Sequence, residues 1–341
     1  MIQDLLIKLV VSLPTGIFDL LYIFRQRRID DLVLDNKARF LCFLDSLSSK
    51  PVNRSTLNDN REGMEKLAHS LSGPTPHVNS VEDFTVASTA GPINVRSYKP
   101  NTKLALPVLI YFHGGGYIRG SLDSHHDLCA RLATYGDFAV LSVDYRLAPE
   151  DKFPAAVDDS IAVFKWVQSH GAEYGFMQDK IAVGGDSSGG CLAIVTAQEA
   201  KRQQLPLPVF QLLLYPTTTA YFDSPSHELF SNGFFLSTER MENYRELYLN
   251  SIADRDDYRA SPLLNPDLAD LPPALVITAG FDPLRDEAES YAKALGDNNV
   301  PVGVIRYDGM VHGFISLTAT LPAADKALRQ AAEALRHNFS A

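Results

Sequence analysis

The chain has 341 residues, of which 45% are hydrophobic and 21% are charged, and its formal net charge is −10. This composition is that of an ordinary globular protein, and the length fits one large α/β domain with an appended cap. The acidic balance argues against a nucleic-acid-binding surface, which needs clustered lysine and arginine side chains to neutralise phosphates.

The apolar segment 1–24 comes first in the chain. Asp4, Lys8, Pro14 and Asp19 interrupt it, so we expect neither a stable membrane span nor a secretory signal. Helical spacing of the apolar residues on either side of Pro14 predicts two amphipathic helices. We expect their apolar faces to pack onto the rest of the protein. A surface membrane anchor or a flexible lid over a site is the alternative.

Helical patterns continue to about residue 73, where a stretch rich in proline and glycine begins. This change predicts a boundary between an N-terminal helical cap segment, 1–73, and a main α/β domain, 74–341. The first two strands of that domain, 81–88 and 93–98, are expected to form an antiparallel hairpin at one edge of a sheet.

Short apolar runs then alternate with helical patterns. Buried strands that alternate with helices predict a mostly parallel central sheet with helices on both faces. The long polar and aromatic segment 216–272 is assigned as a second, inserted part of the cap. The predicted strands are 108–112, 139–143, 181–183, 210–214, 275–278 and 302–307, and the predicted helices are 155–168, 190–203, 238–250, 286–295 and 323–337.

A serine lies at the centre of the stretch Gly185-Asp186-Ser187-Ser188-Gly189, directly after the predicted strand 181–183. A serine at the apex of a strand–turn–helix unit, with glycine two positions away on each side, is typical of the nucleophile elbow of a serine hydrolase. Taken alone, the string is also compatible with a plain αβ turn or a phosphate-binding loop.

Two further reactive side chains follow later strands of the predicted sheet, and functional groups gather where parallel strands end. We therefore expect Ser187, Asp282 and His312 to meet. A serine hydroxyl needs an adjacent base, histidine supplies it, and a carboxylate fixes the histidine tautomer. Asp286 is the alternative acid, but Asp282 is favoured because it lies nearer to the end of its strand.

The glycine-rich stretch His113-Gly114-Gly115-Gly116 follows the first of the predicted parallel strands. Glycines leave backbone N–H groups unshielded, so we expect Gly115 and Gly116, together with the N–H of Ser188, to bind an oxyanion. His113 is expected to orient the loop through hydrogen bonds, and Gly114 to support it.

Neither the histidines nor the cysteines predict a metal site. His125 and His126 are adjacent, so on a helix they point in different directions, and no H-E-x-x-H motif occurs. Cys42, Cys129 and Cys191 lie far apart and form no C-x-x-C motif, which predicts no disulfide framework and favours a reducing compartment. We expect no metal and a cytoplasmic location.

In combination, these motifs resemble the hormone-sensitive-lipase-like family of α/β-hydrolase esterases, in its G-D-S-A-G branch. The resemblance implies an α/β-hydrolase fold, a helical cap over the catalytic domain, and hydrolysis of short- to medium-chain carboxylic esters without a cofactor. It also implies a catalytic triad of Ser187, Asp282 and His312. The matching segments are 113–117, 144–150, 153–156, 185–189, 282–287 and 312–314.

Two residues depart from the family pattern. Ser188 stands where alanine is usual, so its N–H is unchanged but its hydroxyl can compete for local hydrogen bonds, and Cys191 stands where asparagine is common. Three residues of one matching segment, Asp144, Arg146 and Glu150, are expected to form a buried ion-pair network behind the site.

The sequence therefore predicts a serine carboxylesterase that acts on a small-molecule ester through an acyl-enzyme on Ser187. A deacetylase that cleaves amides with the same triad, and a non-catalytic ligand-binding protein of the same fold, remain alternatives. The resemblance also favours a homodimer formed through the last strand or helix. Aromatic candidates for an apolar wall in the cap, with core packing as the alternative for each, are Phe18, Phe24, Phe222, Phe234, Phe235 and Tyr244.

Overall fold

The computed structural model of the chain describes residues 13–22, 27–48 and 55–340. Helices and one short antiparallel strand pair precede the main sheet. They are α1 (Thr15–Leu21), β1 (Arg28–Ile29), β2 (Leu32–Val33), α2 (Asn36–Ser48) and α3 (Leu57–Leu71). The sequence predicts the helices but not the strand pair, because its two-residue strands are too short to show an alternating pattern.

The apolar N-terminal segment differs in part from its prediction. The helix predicted before Pro14 lies, except for its last residue, outside the described residues. In α1, Phe18 is buried against Phe40, with ring centroids 5.4 Å apart. Ile17 and Leu20, however, are 40% and 71% exposed, so the expected packing is wrong for these two side chains. Within the described residues, no helix has the length and apolar character needed to cross a membrane.

A mostly parallel sheet of eight strands forms the centre of the molecule. The strands are β3 (Ser80–Ser88), β4 (Gly91–Lys99), β5 (Leu106–Phe112), β6 (Ala139–Asp144), β7 (Phe176–Asp186), β8 (Gln211–Leu214), β9 (Ala274–Phe281) and β10 (Val302–Val311). Their order is β10-β9-β8-β7-β5-β6-β4-β3, and only the pairs that involve β4 are antiparallel. The predicted hairpin at one sheet edge is therefore confirmed.

Helices cover both faces of this sheet, as predicted. They are α4 (His126–Gly136), α5 (Ala155–His170), α6 (Ser188–Arg202), α7 (Pro225–Leu229), α8 (Thr238–Tyr248), α9 (Arg285–Asp297) and α10 (Pro322–Ser340). Because side chains alternate along a strand, β5 contributes to two separate cores. Val108 and Ile110 pack with α5, α6 and α9, whereas Leu109 packs with α4 and α10. Of these helices, α4 and the short α7 are not predicted by the sequence.

The segment 216–272 lies between β8 and β9 and contains α7 and α8. It contacts the N-terminal helices, since Arg240 of α8 and Asp45 of α2 form an ion pair with an N–O distance of 3.0 Å. The two segments assigned to the cap are thus in contact, although they are distant in the sequence.

The ion-pair network predicted among Asp144, Arg146 and Glu150 is wrong. Arg146 pairs with Asp159 of α5 at 2.8 Å, and Glu150 pairs with Arg61 of α3 at 2.7 Å. Asp144 accepts a hydrogen bond from β4 instead. Neighbouring side chains of an irregular segment point in different directions, so each of the three finds its partner on a different element. The side chain of Glu150 is moreover 56% exposed.

Candidate active site

Ser187 occupies a sharp turn between β7 and α6, as the sequence predicts. Its backbone φ is 54°, a left-handed conformation that non-glycine residues rarely adopt. The turn is held by close backbone packing, because a Cβ added to Gly185 or Gly189 would clash with the backbone at the end of β5. The glycines of the motif therefore let the strained turn pass directly against β5.

Three side chains that follow different strands meet at this turn. His312 Nε2 lies 3.0 Å from Ser187 Oγ, and His312 Nδ1 lies 2.8 Å from Asp282 Oδ2. The Asp282 carboxylate is fully buried, and its Oδ1 accepts the backbone N–H of Leu284 at 2.9 Å. One carboxylate oxygen thus holds the imidazole, while the other is fixed by the turn that follows β9.

The alternative acid, Asp286, lies in the first turn of α9. Its Oδ2 accepts the backbone N–H of Ser226 at 2.9 Å, and its Oδ1 accepts a hydrogen bond from Arg285 at 2.7 Å. The structure therefore brings Asp282, and not Asp286, to His312. The position at the strand end, which favours Asp282 in the sequence, is what separates the two carboxylates.

The glycine loop after β5 lies beside Ser187. Gly115 and Gly116 have φ values of 135° and 65°, which favour glycine at both positions. The N–H of Gly116 donates to Ser188 Oγ at 3.0 Å. Ser188 begins α6, where a backbone N–H has no intrahelical acceptor. The Gly116 N–H thus lies against the residue that follows Ser187, and the expectation that the Ser188 hydroxyl competes for local hydrogen bonds is confirmed.

His113 and Gly114, at the start of this loop, fix its position. The buried ring of His113 stacks on Tyr145 with centroids 4.3 Å apart, and its Nδ1 lies 3.0 Å from Gly114 O. Burial lowers the pKa of His113 to about 3, so its imidazole is neutral near pH 7. Gly114 N–H donates to Asp186 Oδ1 at 2.9 Å. Both residues therefore position the loop through hydrogen bonds, as expected for His113 from the sequence.

Asp186, directly before the nucleophile, is a functional residue that sequence reasoning misses. Its buried carboxylate accepts the Tyr111 hydroxyl at 2.7 Å and the Gly114 N–H, and it lies 3.2 Å from His125 Nε2. Burial disfavours its ionisation, but the attraction of His125 and these hydrogen bonds prevail and lower the pKa of Asp186. The signal in the sequence is a carboxylate inside the elbow motif, directly before the serine.

Comparisons with known proteins agree with this fold. A family model of the alpha/beta hydrolase fold matches residues 109–316. The chain is 43% identical over 263 residues to carboxylic ester hydrolase LipN of Mycobacterium tuberculosis, covering 75% of this chain and 70% of that protein. It is 36% identical over 312 residues to esterase LipI of the same organism, covering 89% and 98%.

Among solved structures, a hyperthermophilic esterase from the archaeon Pyrobaculum calidifontis superposes with a TM-score of 0.85. The identity is 38%, and the match covers 89% of this chain and 98% of that one. The chain belongs to the hormone-sensitive-lipase-like family of α/β-hydrolases. It is a serine carboxylesterase.

The other histidines and the cysteine near the site of the esterase lie in separate surroundings. His125 Nδ1 lies 2.8 Å from Ser124 Oγ, whereas His126 Nδ1 lies 3.1 Å from the Tyr98 hydroxyl, so the two rings diverge. In the described part of the chain, no group of three or more His, Cys, Asp or Glu side chains could hold a metal ion. Cys191 is buried behind the elbow, and burial raises the pKa of its thiol to about 12.

A cavity of about 450 Å³ opens onto Ser187 and His312. Met64 and Leu67 of α3 line it from the segment 1–73, and Met241 of α8 lines it from the segment 216–272. The esterase therefore encloses its candidate nucleophile between two segments that are separated by more than a hundred residues.

The aromatic residues predicted to form the cavity wall divide into two groups. Phe222, Phe235 and Tyr244 line the cavity. Phe18 and Phe234 are buried in the core, where Phe234 stacks on Phe281 at 5.5 Å, so the core packing named as the alternative for each candidate applies to these two residues. The remaining candidate, at position 24, lies outside the described residues.

Proposed function

We propose that the esterase hydrolyses short- to medium-chain carboxylic esters of small molecules through an acyl-enzyme on Ser187. His312 is the general base and acid, and Asp282 fixes its tautomer and stabilises the imidazolium. The observation that carries the proposal is the continuous series of hydrogen bonds from Ser187 Oγ through the His312 ring to Asp282, with distances of 3.0 and 2.8 Å.

In the acylation step, Ser187 Oγ attacks the ester carbonyl carbon while His312 Nε2 takes the hydroxyl proton. The carbonyl π electrons move to the oxygen, where backbone N–H groups of the glycine loop and of Ser188 stabilise the negative charge. The bond to the alcohol oxygen then breaks. His312 returns its proton to that oxygen, so a neutral alcohol leaves and an acyl-enzyme remains.

In the deacylation step, a water molecule takes the place of the alcohol. His312 Nε2 accepts one proton from the water, and the resulting hydroxide adds to the acyl carbon. The intermediate collapses, the bond to Ser187 Oγ breaks, and the proton returns to the serine. The products are a carboxylic acid and the original enzyme, so the balance requires only water.

The cavity supports a small substrate with alkyl groups. Its volume of about 450 Å³ lies within the range of roughly 300–1,000 Å³ found for small-molecule sites. Its wall contains Met64, Leu67 and Met241, whose flexible or branched side chains favour alkyl groups over large polar ones.

The deciding experiment is rapid mixing of the esterase with 4-nitrophenyl acetate. A burst of one nitrophenol per active site, followed by slower turnover, is expected if an acyl-enzyme accumulates. A series of 4-nitrophenyl esters should then show its highest kcat/KM at short to medium acyl chains, and matched acetanilides should react far more slowly. Absence of both burst and turnover would instead favour the non-catalytic alternative.

A cytoplasmic location and a homodimer are also part of this proposal. The three free and buried cysteines support a reducing compartment. The edge position of β10 in the sheet order supports pairing between two copies, because an edge strand presents unpaired backbone groups. Sedimentation of the purified chain tests the dimer, and fractionation of the source cells tests the location.

A further inference from the structure

The hydroxyl of Ser188 binds the loop that carries the expected oxyanion donors. Gly116 N–H donates to Ser188 Oγ at 3.0 Å, and Tyr117 N–H donates to it at 3.4 Å. A hydroxyl oxygen has two acceptor lone pairs, and these two contacts use both. Ser188 is only 1% exposed, so bulk water does not compete for these bonds.

The start of the glycine loop is fixed by a separate buried contact, because Tyr145 donates its hydroxyl proton to His113 O at 2.7 Å. Rotation of the Ser188 side chain away from the loop would leave the N–H groups of Gly116 and Tyr117 without this acceptor, which is unfavourable.

We propose that the Ser188 hydroxyl withdraws the Gly116 N–H from the oxyanion hole, so that the hole works with the backbone N–H groups of Gly115 and Ser188 alone. The alanine of the family pattern has no acceptor at this place and leaves the Gly116 N–H free. In this chain, the contact with Ser188 Oγ orders the glycine loop, but it removes one hydrogen-bond donor that could stabilise the oxyanion of the transition state. Ser188 acts here as a positioning residue, and the inference rests on the proposed acyl-enzyme mechanism.

Substitution of Ser188 by alanine tests the proposal. Removal of one oxyanion donor typically lowers kcat by about 10²–10³-fold. Because Ser188→Ala should free the Gly116 N–H only in part, we expect kcat for 4-nitrophenyl acetate to rise about tenfold, with little change in KM. The melting temperature should fall at the same time, because the N–H groups of Gly116 and Tyr117 lose their acceptor. A purely structural role predicts the fall in melting temperature without the rise in kcat.

The matched control is Ser160→Ala. Ser160 is a buried serine of α5 whose hydroxyl donates to Val157 O at 2.8 Å. This variant should lower the melting temperature without raising kcat. If kcat of folded Ser188→Ala is equal to or below that of the original chain, the proposal is overturned.

A second measurement needs no variant. Diethyl 4-nitrophenyl phosphate should phosphorylate Ser187 and place a phosphoryl oxygen in the hole. In the NMR spectrum of protein labelled with ¹⁵N-glycine, the chemical shift of the Gly115 amide proton should move strongly downfield. The chemical shift of the Gly116 amide proton should move much less. Equal movement of both protons overturns the inference. If Ser187 is not phosphorylated at all, the proposed function fails instead.

A separate observation concerns Arg119, which follows the glycine loop and lines the same cavity. Its guanidinium carbon lies 5.3 Å from the centre of the Tyr244 ring, and its Nε is buried without a hydrogen-bond partner. Within the described residues, Arg119 forms no ion pair with a carboxylate. Asp45, an acidic residue of the same cavity, is held by Arg240 at 3.0 Å.

We infer that Arg119 binds a carboxylate group carried by the ester substrate, on either its acyl or its alcohol side. A guanidinium presents paired N–H donors that match a carboxylate, and the aromatic face of Tyr244 holds its plane from one side. This inference also rests on the proposed function, since it names a class of substrate for the same site.

The test compares charged and neutral esters of similar length by titration of the released acid. Monoethyl glutarate with ethyl pentanoate forms the acyl arm, and 3-acetoxypropanoate with propyl acetate forms the alcohol arm. On one arm, the charged-to-neutral ratio of kcat/KM should fall at least about tenfold in Arg119→Met and less in Arg119→Lys. Unchanged ratios on both arms overturn the inference, whereas failure to hydrolyse any neutral ester overturns the proposed function.

Discussion

The strand ends and the cap hold their side chains in different ways. At the strand ends, functional groups are buried and bound by several partners at once, as in Asp186, which is held by Tyr111, Gly114 and His125. In the two segments assigned to the cap, 1–73 and 216–272, the linking ion pair between Arg240 and Asp45 joins side chains that are 20% and 24% exposed. The reacting groups are thus buried and each is held by several partners. The side chains expected to contact the substrate are held by fewer partners, so each can be changed with less effect on the others.

From this contrast we expect substitutions in the two regions to have different effects on the esterase. Changes at the strand ends should lower kcat or the free energy of unfolding, because they disturb groups with many partners. Changes in the cap should act mainly on KM and on the choice of substrate. The following experiments test the contrast in order of decreasing effect.

The largest effect is expected for Ser187→Ala. Removal of the nucleophile should lower kcat for 4-nitrophenyl butyrate at least about 10⁴-fold, while the melting temperature changes little. Steady-state kinetics on freshly purified protein provides the measurement. Ser340→Ala, which removes an exposed hydroxyl near the end of α10, is the control and should retain activity. Turnover that survives Ser187→Ala would place the nucleophile elsewhere.

The next effect concerns stability and pH at the strand ends. His113 has its pKa lowered to about 3 by burial, whereas an unfolded histidine titrates near pH 6.5. Between these values only the unfolded state binds the proton, so stability falls as the pH is lowered through this window. The contribution is up to about 1.4 kcal/mol for each pH unit.

Urea unfolding at pH 7, 6 and 5 tests this prediction. His113→Asn should reduce the pH dependence of the free energy of unfolding by about one proton. His337→Gln, a change at an exposed histidine of α10, is the matched control and should leave the slope as it is. Equal slopes in the original chain and in His113→Asn would show that His113 does not stay neutral in the folded state.

A smaller effect is expected in the cavity wall. Phe222 lines the cavity, and Arg245 lies 4.3 Å above its ring. Phe222→Ala removes apolar contact area worth about 1–2 kcal/mol, so KM for the preferred ester should rise about tenfold, with a smaller change in kcat. Phe43→Ala, at a side chain of α2 that is 52% exposed, should leave KM unchanged. A loss confined to kcat would contradict the contrast.

The smallest effect belongs to the ion pair between the two cap segments. The pair should contribute at most about 1 kcal/mol to the free energy of unfolding, because partly exposed ion pairs are screened by water and salt. Arg240→Met also removes a hydrogen bond to Phe235 O, so this variant alone does not measure the pair. A double-mutant cycle of Arg240→Met and Asp45→Asn, measured by urea unfolding at low and high salt, isolates the pair. A coupling energy several times larger would mean that the cap is held as rigidly as the strand ends.

The sequence predicts most of the sheet and the site because both depend on local patterns. Apolar runs such as 108–112 must be buried on both faces, and the glycines around Ser187 leave little choice of backbone. The sequence predicts Asp282 and His312 because each follows such a run. The positions of Ser187, Asp282 and His312 can therefore be predicted from the ends of their strands.

The remaining features depend on contacts between distant residues. The burial of Phe234 against Phe281 and the pairing of Glu150 with Arg61 join elements whose approach no local pattern encodes. The same is true of Asp186, whose importance becomes visible only when His125 and Gly114 are placed beside it. Helix α4 was missed because its apolar pattern is short and begins with polar residues.

The left-handed backbone of residue 187, with φ of 54°, also limits how this active site can evolve. A β-branched side chain is strongly disfavoured in that conformation. Threonine is therefore disfavoured as the nucleophile at this position, although its hydroxyl group has the same chemistry as that of serine. Cysteine has no such branch and the same reach. The route from hydroxyl to thiol chemistry therefore remains open at this position.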